Sequence, residues 1–381
     1  MIATAAEITE AIRLLERDVP KPETILSRYK FKPLNELTPG SLYDGLTLLG
    51  NRCLCRCGSL LMIGRTGIGK SSFAMQCALC WGAGKEAFGI KPAGVLKSVF
   101  VQAENDEGDL CEMREGVLMG CGFSPAESDL AQSNIIIDQV DDRAGDTLFP
   151  LLDALLTEHK PDLLWLDPLL SFAGCNLSAQ AEITPFLRNQ LQPLVNKHNC
   201  AVIVLHHEVK PPKEDNGNTW ATSDYAYAGA GSADLANWAR AVLVIRSTQS
   251  TGLFELIAAK RGKRLEWVDD QGQPTTTRHI AHAEDGAIYW REASGPELAT
   301  VTRREKTVED LLAHVPLNDA IPKNSLIEKL ASMKGHAKIG RNKARALLDE
   351  AVQKEQVFEL HKKRPGTNAL ILISRKPEVL A

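Results

Sequence analysis

Between residues 58 and 265, short continuous apolar runs alternate with stretches whose apolar residues recur at helical spacing. The apolar runs predict strands at Ser59–Gly64, Ser98–Gln102, Asn134–Asp138, Leu163–Asp167, Ala201–His206, Ala241–Arg246 and Leu253–Ala259. The first several lack polar alternation, the mark of strands buried on both faces and therefore of a largely parallel sheet covered by helices. Helical patterns fall at Ser71–Gly82, Gly108–Met119, Leu148–His159 and Ile183–His198. Strand and helix in alternation make an α/β, doubly wound domain with a mainly parallel twisted sheet. From 265 to 292 the pattern shortens to hairpins, with turn signals at Asp270-Gln271-Gly272 and Asp285-Gly286.

The two ends read differently. Residues 1–40 hold an amphipathic helix pattern and then a proline-containing stretch, a lead-in arm. After Arg304, helices are predicted at Thr307–His314, Asn324–Met333 and Ile339–Lys354. Strands follow at Val357–His361 and Ala369–Ser374, around the basic turn Lys362-Lys363-Arg364-Pro365-Gly366. Three helices and a hairpin is the order of a winged helix. In the third helix Ala344, Leu347, Leu348, Ala351 and Val352 would face its core, leaving Lys338, Arg341, Asn342, Lys343 and Arg345 for duplex DNA or a protein partner. The expected domains are 1–40, 41–300 and 301–381.

Charge reinforces this division. Residues 301–381 carry 16 Lys and Arg against 10 Asp and Glu, a net +6, whereas the first 300 carry 28 against 38, a net −10. A basic segment on an acidic body points to an acidic partner. The N-terminus lacks the basic start and apolar centre of a signal peptide, and no apolar run is long enough to span a bilayer, so a cytoplasmic protein without a membrane partner is expected. Cys53, Cys55 and Cys57 alternate as a strand would, while Cys77 and Cys80 fall in a helix pattern. They read as buried thiols rather than zinc ligands, which come as widely spaced pairs in loops.

Chemistry enters at Gly64-Arg65-Thr66-Gly67-Ile68-Gly69-Lys70-Ser71, a P-loop entered from the apolar run Leu60–Ile63 and leaving into a helix. Its glycines let backbone N–H groups wrap a phosphate, and the helix N-terminus, with Ser72 in its first turn, adds its dipole. Lys70 would reach the β- and γ-phosphates of ATP, and the Ser71 hydroxyl would ligate Mg2+. Asp167, ending an apolar strand, is the expected magnesium-holding carboxylate in preference to Asp162 at the strand's start. Glu104 ends another strand and would polarise the attacking water. His206 and His207, closing a fourth, would sense the γ-phosphate; the sequence does not choose between them.

Gly64–Ser71, Gln102-Ala103-Glu104, Leu166-Asp167-Pro168-Leu169 and Leu205-His206-His207 occur in one order, tens of residues apart. Over roughly residues 35 to 265 this set resembles the RecA-like ATPase domain of hexameric helicases, particularly plasmid replicative helicases of the RepA type and more distantly the DnaB helicases. The resemblance implies that Glu104 is the catalytic base and that one of the two histidines reads the γ-phosphate. It also implies a ring-forming homo-oligomer, a hexamer. In Gly229–Arg240 it implies a Gly-Ser turn near the pore and an arginine finger, Arg240, projecting into the neighbour's nucleotide. Lys260 and Arg261, in Ala259–Arg264, match basic residues that cross to the next subunit in the DnaB class. The basic C-terminal segment is not part of the minimal RepA pattern.

The first function expected is a DNA helicase or translocase of replication or a mobile element, moving on single-stranded DNA. The alternative is a non-motor RecA-like regulator or loader that binds DNA, duplex included, through its C-terminal domain. A small-molecule kinase would need a substrate lid, for which Lys210–Tyr227 is the candidate. That loop also carries Lys210, Lys213, Trp220, Tyr225 and Tyr227, a basic and aromatic mixture suited to single-stranded nucleic acid.

Overall fold

Each residue of Ser59–Gly64 is buried, and the strand divides its side chains between two cores. Leu60 and Met62 join a cluster on one sheet face with Phe73, Trp81, Trp165 and Trp290. Leu61 and Ile63 join another on the opposite face with Leu152, Phe172, Leu187 and Val244. Side chains alternate along a strand, so a continuous apolar run supplies both faces at once. The computed structural model describes residues 31–41, 44–208, 222–229, 231, 233–248, 250–284, 286–301, 306–333, 339–362 and 370–379. Most of the expected N-terminal arm lies outside them.

In chain order the strands are β1 (Thr47–Leu49), β2 (Leu54–Cys55), β3 (Ser59–Gly64), β4 (Ser98–Gln102), β5 (Ile135–Gln139), β6 (Leu163–Asp167) and β7 (Ala201–His207). Next come β8 (Ala241–Ser247), β9 (Leu253–Lys260), β10 (Thr277–His282) and β11 (Trp290–Glu292). β3 to β11 form one sheet in the order β11-β10-β9-β8-β3-β7-β6-β4-β5. The stretch from β8 to β5 is parallel, and β9, β10 and β11 extend it antiparallel. The hairpins expected over 265–292 are thus an extension of the main sheet.

The helices include α1 (Lys70–Gly82), α2 (Glu107–Gly120), α3 (Pro125–Ser133) and α4 (Leu148–His159). The helix expected over Ile183–His198 begins earlier, at Gln180–Thr184, and passes through a π-helical Pro185–Leu191 into Gln192–His198. The α3 helix was not expected, although Ser124 and Glu127 cap it reciprocally, a signature readable in sequence.

The chain divides into two units, Met1–Asp44 and Gly45–Ala381. Within the second, residues 308–373 own a separate core containing Leu311, Leu326, Leu330, Leu347 and Leu348. Its elements run Val308–Leu312, the short strand Ile321–Pro322, Lys323–Ser332, Arg341–Gln353, and strands Phe358–Lys362 and Leu370–Ser374 in a three-stranded antiparallel sheet. In the Arg341–Gln353 helix, Ala344, Leu347, Leu348 and Ala351 are buried. The exposed arginine Arg341 is not a free cation: its guanidinium forks onto Glu328 at 2.7 and 2.9 Å. Lys338 and the turn residues Lys363 and Arg364 lie outside the described residues.

Candidate nucleotide site

Parallel pairing brings four strand ends together. Gly64 of β3 lies beside His207 of β7, and Gln102 of β4 beside Asp167 of β6. Ligands of open α/β sheets sit outside these C-terminal strand ends. The P-loop starts here. Gly67 and Gly69 have φ of +74° and +92°, left-handed values that a side chain would strain. With the first intrahelical bond running from Phe73 N to Gly69 O, the N–H groups of Lys70, Ser71 and Ser72 begin α1 without helix partners, a ready anion site.

The Lys70 ammonium, 6% exposed, donates to the Arg65 carbonyl at 2.9 Å and to His207 Nδ1 at 3.2 Å. Thr66 Oγ1 lies 3.2 Å from the same nitrogen. Burial pulls the Lys70 pKa below its usual value, while the charges of Asp167, Glu104 and Glu208 oppose that shift. Burial and then the Lys70 charge depress the His207 imidazole as well. A neutral His207 thus serves as acceptor for Lys70.

Only one of the paired histidines enters the site, because neighbours on a strand point to opposite faces. His207 meets the P-loop. His206 is 1% exposed, and its ring lies under Gly229, where an added Cβ would come within 3.0 Å of it.

Asp167 is 5% exposed and accepts a hydrogen bond from Ser71. Burial, the largest influence, pushes its pKa up to about 6 despite that bond and the Lys70 charge. A buried carboxylate held up in this way is short of positive charge, and a hydroxyl lies against it. This donor set fits the magnesium of a nucleotide. Asp162, at the opposite strand end, is tied to Arg56 and to the Lys97 N–H, a structural role away from the phosphates.

Glu104 is exposed, and its charge acts on Lys70, Asp167 and His207. Gln102, 1% exposed, shapes the turn that carries it. Its side-chain oxygen accepts from the Glu104 and Asn105 N–H groups at 3.1 and 2.8 Å, and its amide donates to the Asn105 carbonyl at 2.7 Å. Asp106 next caps α2. Replacing Gln102 by Ala removes these three bonds and a fourth, from Asn105 Nδ2 at 3.3 Å, each worth about 1 kcal/mol. It is expected to lower kcat for ATP about tenfold while KM changes little, measured by steady-state phosphate release.

Three of the expected residues have partners within their own subunit. Ser72, expected in the first turn at the nucleotide, donates its hydroxyl to Gly69 O at 2.9 Å and accepts from Trp290 Nε1 at 3.1 Å. Only its backbone N–H remains for phosphate. Lys260 donates to the carbonyls of Ala236 and Ala239 at 2.8 and 2.6 Å. This caps the Ala233–Trp238 helix from within its own subunit. The Tyr225 ring lies beneath the Arg246 guanidinium, 4.4 Å from its centroid, so that face is not open to a base. Lys210, Lys213 and Trp220 fall outside the described residues, as does Ser232 of the expected Gly-Ser turn.

Arg240 and Arg261 do not approach their own P-loop. Arg240 N donates to Ser59 O at 2.9 Å, at the start of β3, roughly 17 Å of strand from Gly64 at about 3.3 Å per residue. With Arg56, Gly58, Gln192 and Trp238 they line a cavity of about 280 Å³ on this far edge. Arg261 donates to Cys53 O at 3.3 Å. The exposed Arg240 guanidinium makes no hydrogen bond or ion pair among the described residues.

Residues 47–213 match the family model described as an AAA domain. The matched span takes in the P-loop, Glu104, Asp167 and both histidines. No curated protein matches the chain. Among solved structures the chain is similar to a RadB recombinase, at 16% identity and a TM-score of 0.38, covering 63% of this chain and 92% of that one. Among the described residues no helix is long and apolar enough to cross a membrane.

Proposed function

We propose that the chain is an ATP-hydrolysing motor that assembles into a ring and moves on single-stranded DNA, as a helicase or translocase of the RepA type. One observation supports this reading: the P-loop residues and a pair of arginines lie at opposite edges of the sheet. Lys70, Ser71, Asp167, Glu104 and His207 gather at the C-terminal strand ends, whereas Arg240 and Arg261 gather at the opposite edge. Head-to-tail assembly joins one edge to the other and closes into a ring when the rotation permits. A hexamer is the ring that the family resemblance suggests.

Within this reading the residues have separate tasks. The P-loop amides and Lys70 bind the β- and γ-phosphates, His207 contacts Lys70 beside them, and Glu104 takes the proton of the attacking water. Mg2+, held by Ser71 and Asp167, would neutralise phosphate charge. Arg240 of one subunit would stabilise the charge that develops in the next.

The alternative reading, a non-motor regulator or loader, is favoured by the C-terminal residues. We infer a winged-helix domain there from the separate core and from the order helix, short strand, two helices, hairpin. Strand displacement with ATP and with a non-hydrolysable analogue tests the proposal. A motor displaces a strand with ATP alone. ATPase activity without displacement, together with duplex binding that disappears when residues 305–381 are removed, would favour the regulator.

A further inference from the structure

Two side chains far along the chain touch the back of the P-loop. His282, ending β10, donates from Nε2 to the Ile68 carbonyl at 3.2 Å. Trp290, opening β11 and 2% exposed, donates from Nε1 to Ser72 Oγ, which passes a hydrogen on to the Gly69 carbonyl. A hydroxyl accepts and donates at once, so this is a continuous chain from indole to P-loop. The indole is held in turn. Trp290 N–H donates to Gln76 Oε1 at 2.7 Å and Gln76 Nε2 donates back to Trp290 O at 2.8 Å, clamping β11 to α1. Its ring packs edge-on against Phe73, Phe254 and His282, at 5.8, 5.0 and 4.2 Å between centroids.

The peptide unit is planar and trans, so its C=O and N–H point in opposite directions. Fixing the Ile68 carbonyl outward therefore turns the Gly69 N–H inward, and fixing the Gly69 carbonyl does the same for the Lys70 N–H. We propose that His282 and Trp290 are positioning residues of the nucleotide site, which orient the Ile68–Gly69 and Gly69–Lys70 peptides so that two N–H groups face the phosphates. This rests on the nucleotide reading of the P-loop. Gly69 fits the same picture: a Cβ there would come within 3.0 Å of Trp290 and 3.1 Å of Ser72 Oγ, so the hairpin sits directly on the turn. The other end of the hairpin is seated too, with Ile288 backbone and the Tyr289 ring in the spaces left by Gly116 and Gly120 of α2.

Affinity for a fluorescent ATP analogue in Mg2+, measured on the full chain with its melting temperature, tests the proposal. Trp290→Phe keeps the aromatic packing and removes only the indole N–H; Ser72→Ala breaks the next link. Each is expected to weaken binding about fivefold, the scale of one net hydrogen bond. The double variant should be no weaker than Ser72→Ala, because both cut one chain. His282→Ala should weaken binding similarly and His282→Gln, which retains a donor, should restore it to within about twofold. Trp267→Phe, which removes an indole bond to Gly89 O away from the P-loop, serves as control and should bind normally. Steady-state rates should show the loss in KM rather than kcat. Wild-type affinity in Trp290→Phe and His282→Ala, with only the melting temperature lowered, overturns the proposal. So does additive loss in the double variant. Failure of the unmodified protein to bind the analogue overturns the nucleotide reading itself.

Discussion

Glu104→Gln is expected to bind ATP with near-normal affinity and to hydrolyse it about a thousandfold more slowly, within the range of a lost general base. The substitution keeps the shape of the side chain and leaves the Gln102-braced turn intact, since the bonds there are to backbone N–H groups. Lys70→Ala should behave differently. It removes the ammonium that contacts Arg65 O and His207 Nδ1, so binding and turnover should fall together. Equilibrium binding of labelled ATP alongside single-turnover hydrolysis separates the two outcomes. If Glu104→Gln turns over at the wild-type rate, the base lies elsewhere. Asp106 is then a poor substitute, because its carboxylate accepts from the Asp109 N–H to cap α2. Glu107, exposed in the first turn of that helix, becomes the candidate.

What the amino-acid pattern revealed follows from what is local. Ser59–Gly64, Ser98–Gln102 and Leu163–Asp167 end where their apolar runs end, because a strand buried on both faces must be apolar throughout and its first polar residue marks the exit. That rule also locates Asp167 and, two residues beyond a strand end, Glu104. It is silent on face: His206 and His207 read alike in sequence, and only the register of β7 against β3 turns one inward. Long-range partners left no periodic trace either. Ile68 and His282 are separated by 214 residues and Ser72 and Trp290 by 218, so residues 277–292 read as plain hairpins. Likewise, the basic run at 260–264 carried no sign that Lys260 is consumed by the carbonyls of a helix more than twenty residues earlier.

Arg240→Ala should lower the ATPase rate about a thousandfold, the lower end of what a charge supplied across an interface contributes, while leaving ATP binding in place. The loss should be repairable by a neighbour. Arg240 sits beside Ser59, a full strand length from its own P-loop, so a guanidinium at that edge cannot reach its own nucleotide unless the sheet is dismantled. In the proposed ring it faces the next subunit's Glu104. Mixing Arg240→Ala subunits with Glu104→Gln subunits would then create some interfaces that pair an intact Glu104 with an intact Arg240. Activity of the mixture should rise above either variant alone and peak near equal proportions. Native mass measurement of the mixed oligomers, made alongside the assay, shows that the two variants have exchanged. Arg261 shares the cavity but also holds Cys53 O, so Arg261→Ala should show a smaller loss that is repaired less completely. No recovery at any ratio, with mixed oligomers present, would remove Arg240 from the reaction. The proposal of a site shared between neighbouring subunits would then fall with it.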